Sequence, residues 1–233
     1  MKILALDSTA LISSCAVCED DRLLSVFSVN NGNTHSETLL PMIESSLKIL
    51  GLTADNIDVF AASEGPGSFT GVRIGAATIK GLAFAKNKPC VGVSTLEALA
   101  YNLKGLRGIA CPVMNARRNQ VYNALFSISE DKIERLCPDR AISVTELTDE
   151  LKSTKEKVYL CGDGTFLFDN SDFKFEPTPL PLVEQSAFSV ALVALEKFKR
   201  GEVTTDTALS PTYLRPSQAE RERIEKEKIN NEI

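Results

Sequence analysis

The stretch Glu64-Gly65-Pro66-Gly67-Ser68-Phe69-Thr70-Gly71-Val72-Arg73-Ile74-Gly75 decides the fold, because it joins an apolar run at 58–63 to a long apolar run at 70–86. The first run has the length of a buried strand and the second that of a helix, with a glycine turn between them. A short strand at 90–93, punctuated by Lys88-Pro89, completes a crossover unit and predicts parallel pairing. Glycines at such a turn let backbone approach a neighbour or a ligand, and free amides at a helix start favour an anion. The turn is not a phosphate-binding P-loop, because no Gly-Lys-Ser/Thr closes it. It is not a dinucleotide fingerprint either, because Thr70 stands where the third glycine belongs. Two readings stay open: a ligand loop, or a tight strand–helix turn whose small residues serve close packing.

Working outward, strands are predicted at 3–8, 14–19 and 23–29 and a helix at 37–50 before the glycine turn. Ser94-x-x-Glu97 reads as a capping box for a helix over 95–103. The pattern then restarts, with strands near 109–114, 120–128 and 132–137 and a helix at 145–153 opened by Ser143-x-x-Glu146. A strand at 157–161 and a helix at 187–200 follow. Both halves run β-β-β-α-β-α, a repeat of topology rather than of letters. The expected fold is therefore α/β, with mixed sheets covered by helices in two lobes, the architecture of the actin, sugar-kinase and Hsp70-ATPase class. The lobes are placed at 1–103 and 104–217, and a charged, helix-prone tail at 218–233.

The composition suits this. Of 233 residues, 43% are hydrophobic and 24% charged, with 13 glycines and 10 prolines, which excludes disordered, collagen-like and coiled-coil chains. A net charge of -5 argues against a lone nucleic-acid binder; Arg73, Arg117 and Arg118 read as isolated basics. Six cysteines lie scattered in apolar runs, the usage of a reducing cytosol. Cys15 and Cys18 form one C-x-x-C without a second pair at zinc spacing, and they read as strand residues facing opposite sides. No run approaches the roughly 18 apolar residues of a membrane span, so a cytoplasmic protein is expected.

Few residues look chemical. Asp7-Ser8-Thr9 ends the first strand, and Asn115-Ala116-Arg117-Arg118 holds the equivalent turn of the second half, where an amide cannot supply a second metal-binding carboxylate. With Gly65 and Gly67, the residues Asp7, Ser8 and Thr9 form the candidate nucleotide contacts. His35 is the only histidine, so neither a Ser/His/Asp triad nor a closed metal site can be built. It is expected to hydrogen-bond near its helix start.

The helix at 70–86 is apolar nearly all round, with Ile74, Thr78, Leu82 and Ala85 on one side and Val72, Ala76, Ile79 and Ala83 on the other. Gly75, Ala77 and Gly81 let another helix come close. Its neighbour carries the stripe Leu39, Ile43, Leu47 and Leu50, with Leu40, Met42 and Ile49 outside it. A sheet covers one side of such a pair, and the other side is expected to be a protein interface. The candidate interface residues are Leu39, Met42, Ile43, Leu47, Leu50, Ile74, Thr78, Gly81, Leu82 and Ala85.

Ile3-Leu-Ala-Leu-Asp7-Ser8-Thr9, His35-Ser-Glu-Thr-Leu-Leu-Pro41, the Glu64–Gly75 run, Gly92-Val-Ser-Thr-Leu96, Ala116-Arg-Arg-x-x-Val-Tyr122 and Pro211-Thr-Tyr-Leu-Arg215 together resemble the bacterial TsaB (YeaZ) family. The resemblance implies a two-lobed actin-like fold and a non-catalytic subunit of the complex that makes threonylcarbamoyladenosine beside the tRNA anticodon. It implies pairing with the paralogue TsaD, which transfers the threonylcarbamoyl group. The ATPase TsaE joins the pair, and TsaC supplies the threonylcarbamoyl-adenylate. It further implies homodimerisation in isolation, no metal, and ATP or ADP only at a partner interface. TsaD-like relatives hold metal through His-x-x-x-His, and in the register of His35 this chain has Leu39. Asn115 replaces the acid of the family's Asp-Ala-Arg. The alternative from the fold class is an autonomous small-molecule kinase or ATPase.

Overall fold

The computed structural model describes residues 1–215. The predicted tail at 218–233 lies outside the described residues. In the first half, β1 (Lys2–Asp7), β2 (Ser13–Glu19) and β3 (Arg22–Val29) form an antiparallel meander, followed by α1 (His35–Ile49). Then β4 (Val59–Gly65), α2 (Phe69–Lys86), β5 (Cys90–Ser94) and α3 (Thr95–Tyr101) complete the unit. The sheet order is β3-β2-β1-β4-β5, with β4 parallel to both β1 and β5, as crossovers through helices require.

The second half repeats the meander in broken form. After β6 (Gly108–Asn115) come β7 (Gln120–Asn123), β8 (Phe126–Ile128), β9 (Ile133–Arg135) and β10 (Arg140–Ser143). β7 and β8 keep one register against β6, Met114 opposite Tyr122 and Ala110 opposite Phe126, so they are one strand interrupted beside Pro112. Proline brings no N–H to the ladder there. The expected single strand at 120–128 is thus present with a gap, and β10 was not foreseen. α4 (Val144–Leu151) and β11 (Val158–Cys161), parallel to β6, follow, and then α5 (Ala187–Lys199). No further strand follows β11 before α5 among the described residues.

α5 explains why. It does not return to its own sheet; Val190, Ala191, Val193 and Ala194 pack on Ile3, Ala5, Ala61 and Val91 of the first sheet. α3 makes the reciprocal move: Leu96, Leu99 and Leu103 pack on Ala110, Met114 and Phe126 of the second. The layers are therefore α1 and α2, first sheet, α3 with α5, second sheet, α4. This is the two-lobed α/β architecture expected, with the lobes sharing helices.

Of the two predicted capping boxes, Ser143 with Glu146 is complete. The other is half made: Ser94 Oγ accepts the Glu97 N–H, while the Glu97 carboxylate turns to Arg135 (3.4 Å) and the Ser94 hydroxyl donates to Asp139 (2.6 Å). The start of α3 is tied to the second lobe instead of to itself.

Candidate functional site

The first turn and the glycine turn come together, but they fill each other. Asp7, at the end of β1, is buried. One carboxylate oxygen accepts from the Thr9 N–H (2.9 Å) and hydroxyl (2.7 Å), and the other accepts from the Ser63 hydroxyl (2.6 Å). Burial pushes the Asp7 carboxyl above its ordinary range, and the bonds from Ser63 and Thr9 pull against that. Ser8 Oγ donates to the Gly71 carbonyl (2.9 Å). The Ser68 N–H donates to the Thr9 carbonyl (2.7 Å). A β-carbon at Gly67 would collide with that same carbonyl oxygen. One at Gly65, where φ is 112°, would lie 2.6 Å from the Thr212 carbonyl oxygen.

These contacts favour close packing at the glycine turn: Thr9 presents a carbonyl oxygen to it, and the Ser68 hydroxyl already accepts the Gly71 N–H (3.2 Å). Asp7, Ser8, Thr9, Gly65 and Gly67 form a packed joint between β1, β4 and α2.

His35 opens α1 and ties it to the β1–β2 loop. Its Nε2 lies 2.8 Å from the Ala10 carbonyl and its Nδ1 2.6 Å from Ser13 Oγ, which in turn meets the Thr38 hydroxyl at 2.8 Å. A carbonyl can only accept, so Nε2 carries the proton and Nδ1 accepts from Ser13. Cys15 packs with the α1 side of the sheet and Cys18 with the α5 side, and burial pushes both thiols up to about 12. They cannot share a ligand. At the second turn, the Asn115 N–H donates to Asp163 (3.1 Å), an acid the sequence reading passed over in Gly162-Asp163-Gly164. Burial raises the Asp163 carboxyl, and the Glu184 and Asp7 charges raise it further.

The helix pair divides the candidate interface residues. Leu39, Met42, Ile43 and Leu47 point into the chain's own core against Leu4, Leu6, Val17 and Phe60. With Leu39 at 1% and Ile43 at 3% exposure, these residues are not available to a partner, which corrects that part of the expectation. The reason is that α1 lies flat on the sheet and spends its leucine stripe there. Leu50, Ile74, Thr78 and Leu82 are half-buried, and Gly81 and Ala85 are exposed.

The outward surface instead carries Phe84 at 76% exposure and Leu40 at 51%, with exposed Ala77, Gly81 and Ala85. Between Arg73 and Lys86, α2 has one charged residue, Lys80, and its ammonium reaches sideways to the Leu209 carbonyl (3.1 Å). Phe84 was missed in the sequence, although it stands five residues after Ile79 and so on the opposite face of the helix.

Comparison with known proteins gives a consistent result. The family model described as tRNA N6-adenosine threonylcarbamoyltransferase, TsaD, matches residues 30–220. The tRNA threonylcarbamoyladenosine biosynthesis protein TsaB of Bacillus subtilis is 29% identical over 241 residues, covering 98% of this chain and 100% of that protein. The TsaB of Buchnera aphidicola subsp. Baizongia pistaciae is 34% identical over 177 residues, 74% of this chain and 79% of that one. A crystal structure from Pseudomonas aeruginosa, described as an uncharacterized protein with similarity to peptidase YEAZ, superposes with a TM-score of 0.81 at 24% identity. It covers 92% of this chain and 99% of that one, and so supports the fold.

Proposed function

The chain belongs to the TsaB (YeaZ) family and matches the TsaD family model, and on that premise we propose that it is a non-catalytic scaffold subunit. It would pair with a TsaD paralogue and support transfer of the threonylcarbamoyl group to the adenosine beside the tRNA anticodon. TsaE and the product of TsaC belong to the same proposed assembly. One observation carries the reading: the outer face of α2 offers Ala77, Gly81, Phe84 and Ala85 to solvent, and α1 in the same layer exposes Leu40. Small residues four apart let a second helix approach closely, and an exposed aromatic supplies the anchor a partner buries. In the absence of the paralogue the same face is expected to meet its own copy, giving a homodimer.

The close packing at the glycine turn supports the non-catalytic reading over an autonomous kinase. The test is co-expression with the TsaD paralogue and sizing of the product. Phe84→Glu alters an exposed position, so the chain folds and elutes alone. A variant that still co-elutes with the paralogue would end the proposal. A charge at Ile43 is unsuited to this test, because that side chain is core.

A further inference from the structure

Many basic side chains of this acidic protein pair with its own carboxylates, Lys2, Arg22, Arg107, Arg135, Arg140, Lys152 and Arg200 among them. Arg73 is held differently. Its guanidinium carbon lies 3.9 Å from the centre of the Phe69 ring, and its Nε donates to the Tyr213 hydroxyl (2.7 Å). The Tyr213 ring is itself 4.7 Å from that of Phe69 and exposed. Arg73 and Arg215 form no ion pair among the described residues. Stacking fixes the cation without cancelling its charge, so little rotamer freedom remains to be lost on binding an anion.

The basics that looked isolated in sequence share one rim. The Thr212 N–H donates to the Glu64 carbonyl (2.7 Å) and pins the following segment beside the start of α2. Two residues after Tyr213, at most about 7 Å along the chain, Arg215 donates to the Ala116 carbonyl (3.3 Å) of the β6–β7 turn. That turn exposes Arg117 and Arg118. Arg117, Arg118 and Asn119 have φ of 61°, 54° and 55°, three consecutive non-glycine residues in the left-handed region. The two arginines each cost roughly 1–2 kcal/mol there, whereas asparagine tolerates that region. The turn is held by Asn115 Oδ1, which accepts the Arg117 N–H (2.8 Å), and by the Val144 N–H, which donates to the Asn119 carbonyl (3.2 Å). Strain maintained beneath an exposed arginine pair is a mark of function.

We infer that the rim formed by Phe69, Arg73, Tyr213, Arg215 and the Arg117–Arg118 turn is a contact surface for RNA, gripping its phosphates and stacking an unpaired base. The inference rests on the proposed function, which supplies a tRNA as substrate, and it gives this subunit a share in holding it. The two rings favour RNA over an acidic peptide. A peptide carboxylate takes the same cations, but a nucleobase also finds a planar face.

The experiment uses the complex of the full chain with its TsaD paralogue and a tRNA transcript carrying an adenosine beside its anticodon. In Arg73→Gln with Arg215→Gln, two phosphate contacts are lost. Affinity at 0.15 M salt then falls about tenfold, and the slope of log affinity against log salt flattens by about 1.4. Co-elution with the paralogue is unchanged. Unaltered affinity and slope overturn the inference, as does loss of pairing in place of RNA binding, which would make the rim a protein contact.

Ultraviolet crosslinking of the wild-type complex keeps the test independent of how the variant folds. Adducts at Phe69 or Tyr213 support the rim, and adducts confined to the paralogue overturn it. The two proposals fail separately. Absence of wild-type co-elution removes the scaffold reading, and crosslinking of the tRNA to the chain alone at low salt then decides the rim.

Discussion

α1 and α2 lie side by side on one face of the first sheet, and they use apolar residues in opposite ways. α1 has large side chains on one stripe, and they fill the space above Leu4, Leu6 and Phe60. α2 buries mostly small side chains, Gly71, Gly75, Ala76 and Ala83, beside Val72 and Ile79. Its outer face remains apolar, with Ala77, Gly81, Phe84 and Ala85 exposed. An apolar residue inside a stripe with a sheet beneath it is core, whereas one on a face with nothing above it is a docking surface.

The largest effect that can break this contrast is a charge in α1. Ile43→Asp places a carboxylate in the core and is expected to cost more than about 4 kcal/mol, a large share of the roughly 5–15 kcal/mol that holds a domain together. Circular dichroism should show an unfolded chain or a sharply lowered Tm. A cooperative transition near that of the wild type would mean that Ile43 does not face the sheet.

Gly81 sharpens the contrast from the other helix. A β-carbon there meets nothing within 4 Å, and glycine inside a helix costs about 1 kcal/mol relative to alanine. Gly81→Leu should therefore raise the stability of the isolated chain by about 0.5–1 kcal/mol in urea titration. Pairing with the paralogue should weaken more than tenfold, because the side chain holds the second helix away. Opposite signs in the two measurements identify a residue kept for docking.

Much of this was legible in advance. Every named helix and strand but β10 stands within a few residues of where periodicity puts it, β7 and β8 sharing the strand expected at 120–128, because the stripes are long and the turns carry glycine, proline or caps. β10 was not legible: Arg-Ala-Ile-Ser is short, follows Pro138, and overlaps the cap of α4. The roles of the apolar residues were half legible. Helical spacing separated Val72, Ala76, Ile79 and Ala83 from Ile74, Thr78 and Leu82, but it could not tell which face of α1 the sheet would take. The glycine turn was ambiguous for a physical reason. A glycine that admits a phosphate and one that admits the chain's own Thr9 carbonyl leave the same letter, and only the partner backbone, 58 residues away at Gly67, distinguishes them. The gathering of Arg73, Tyr213 and Arg215 depends on contacts 140 and 99 residues apart, and no local pattern encodes those.

The next effect in size concerns how α1 is moored. Ser13→Ala removes the donor to His35 Nδ1 and leaves that nitrogen without its bond at a part-buried joint, while the Thr38 hydroxyl keeps only the Thr34 and His35 carbonyls. A loss of about 1–2 kcal/mol is expected, which for a chain of this size lowers Tm by about 3–6 °C in calorimetry. α2 has no such hydroxyl chain, so an equal loss from Thr78→Ala, whose hydroxyl bonds only the Ile74 carbonyl of its own helix, would erase the distinction.

The smallest effect lies at the strand that launches α2. Glu64 is half-buried, and burial raises its carboxyl above the ordinary glutamate range; the Lys197 charge opposes this, while Asp139 and Glu97 add to it. A raised carboxyl holds its proton more tightly in the folded chain than in the unfolded one. Stability is therefore full below the ordinary glutamate range and declines as pH rises through the folded value. Glu64→Gln mimics the protonated form, so it should raise Tm at pH 7 by about 1–2 °C and make no difference near pH 4. If the variant is less stable than the wild type at pH 7, the attraction of Lys197 outweighs burial, and the launch of α2 is held by an ion pair. The base of α2 would then resemble the bonded mooring of α1 more than a packed joint.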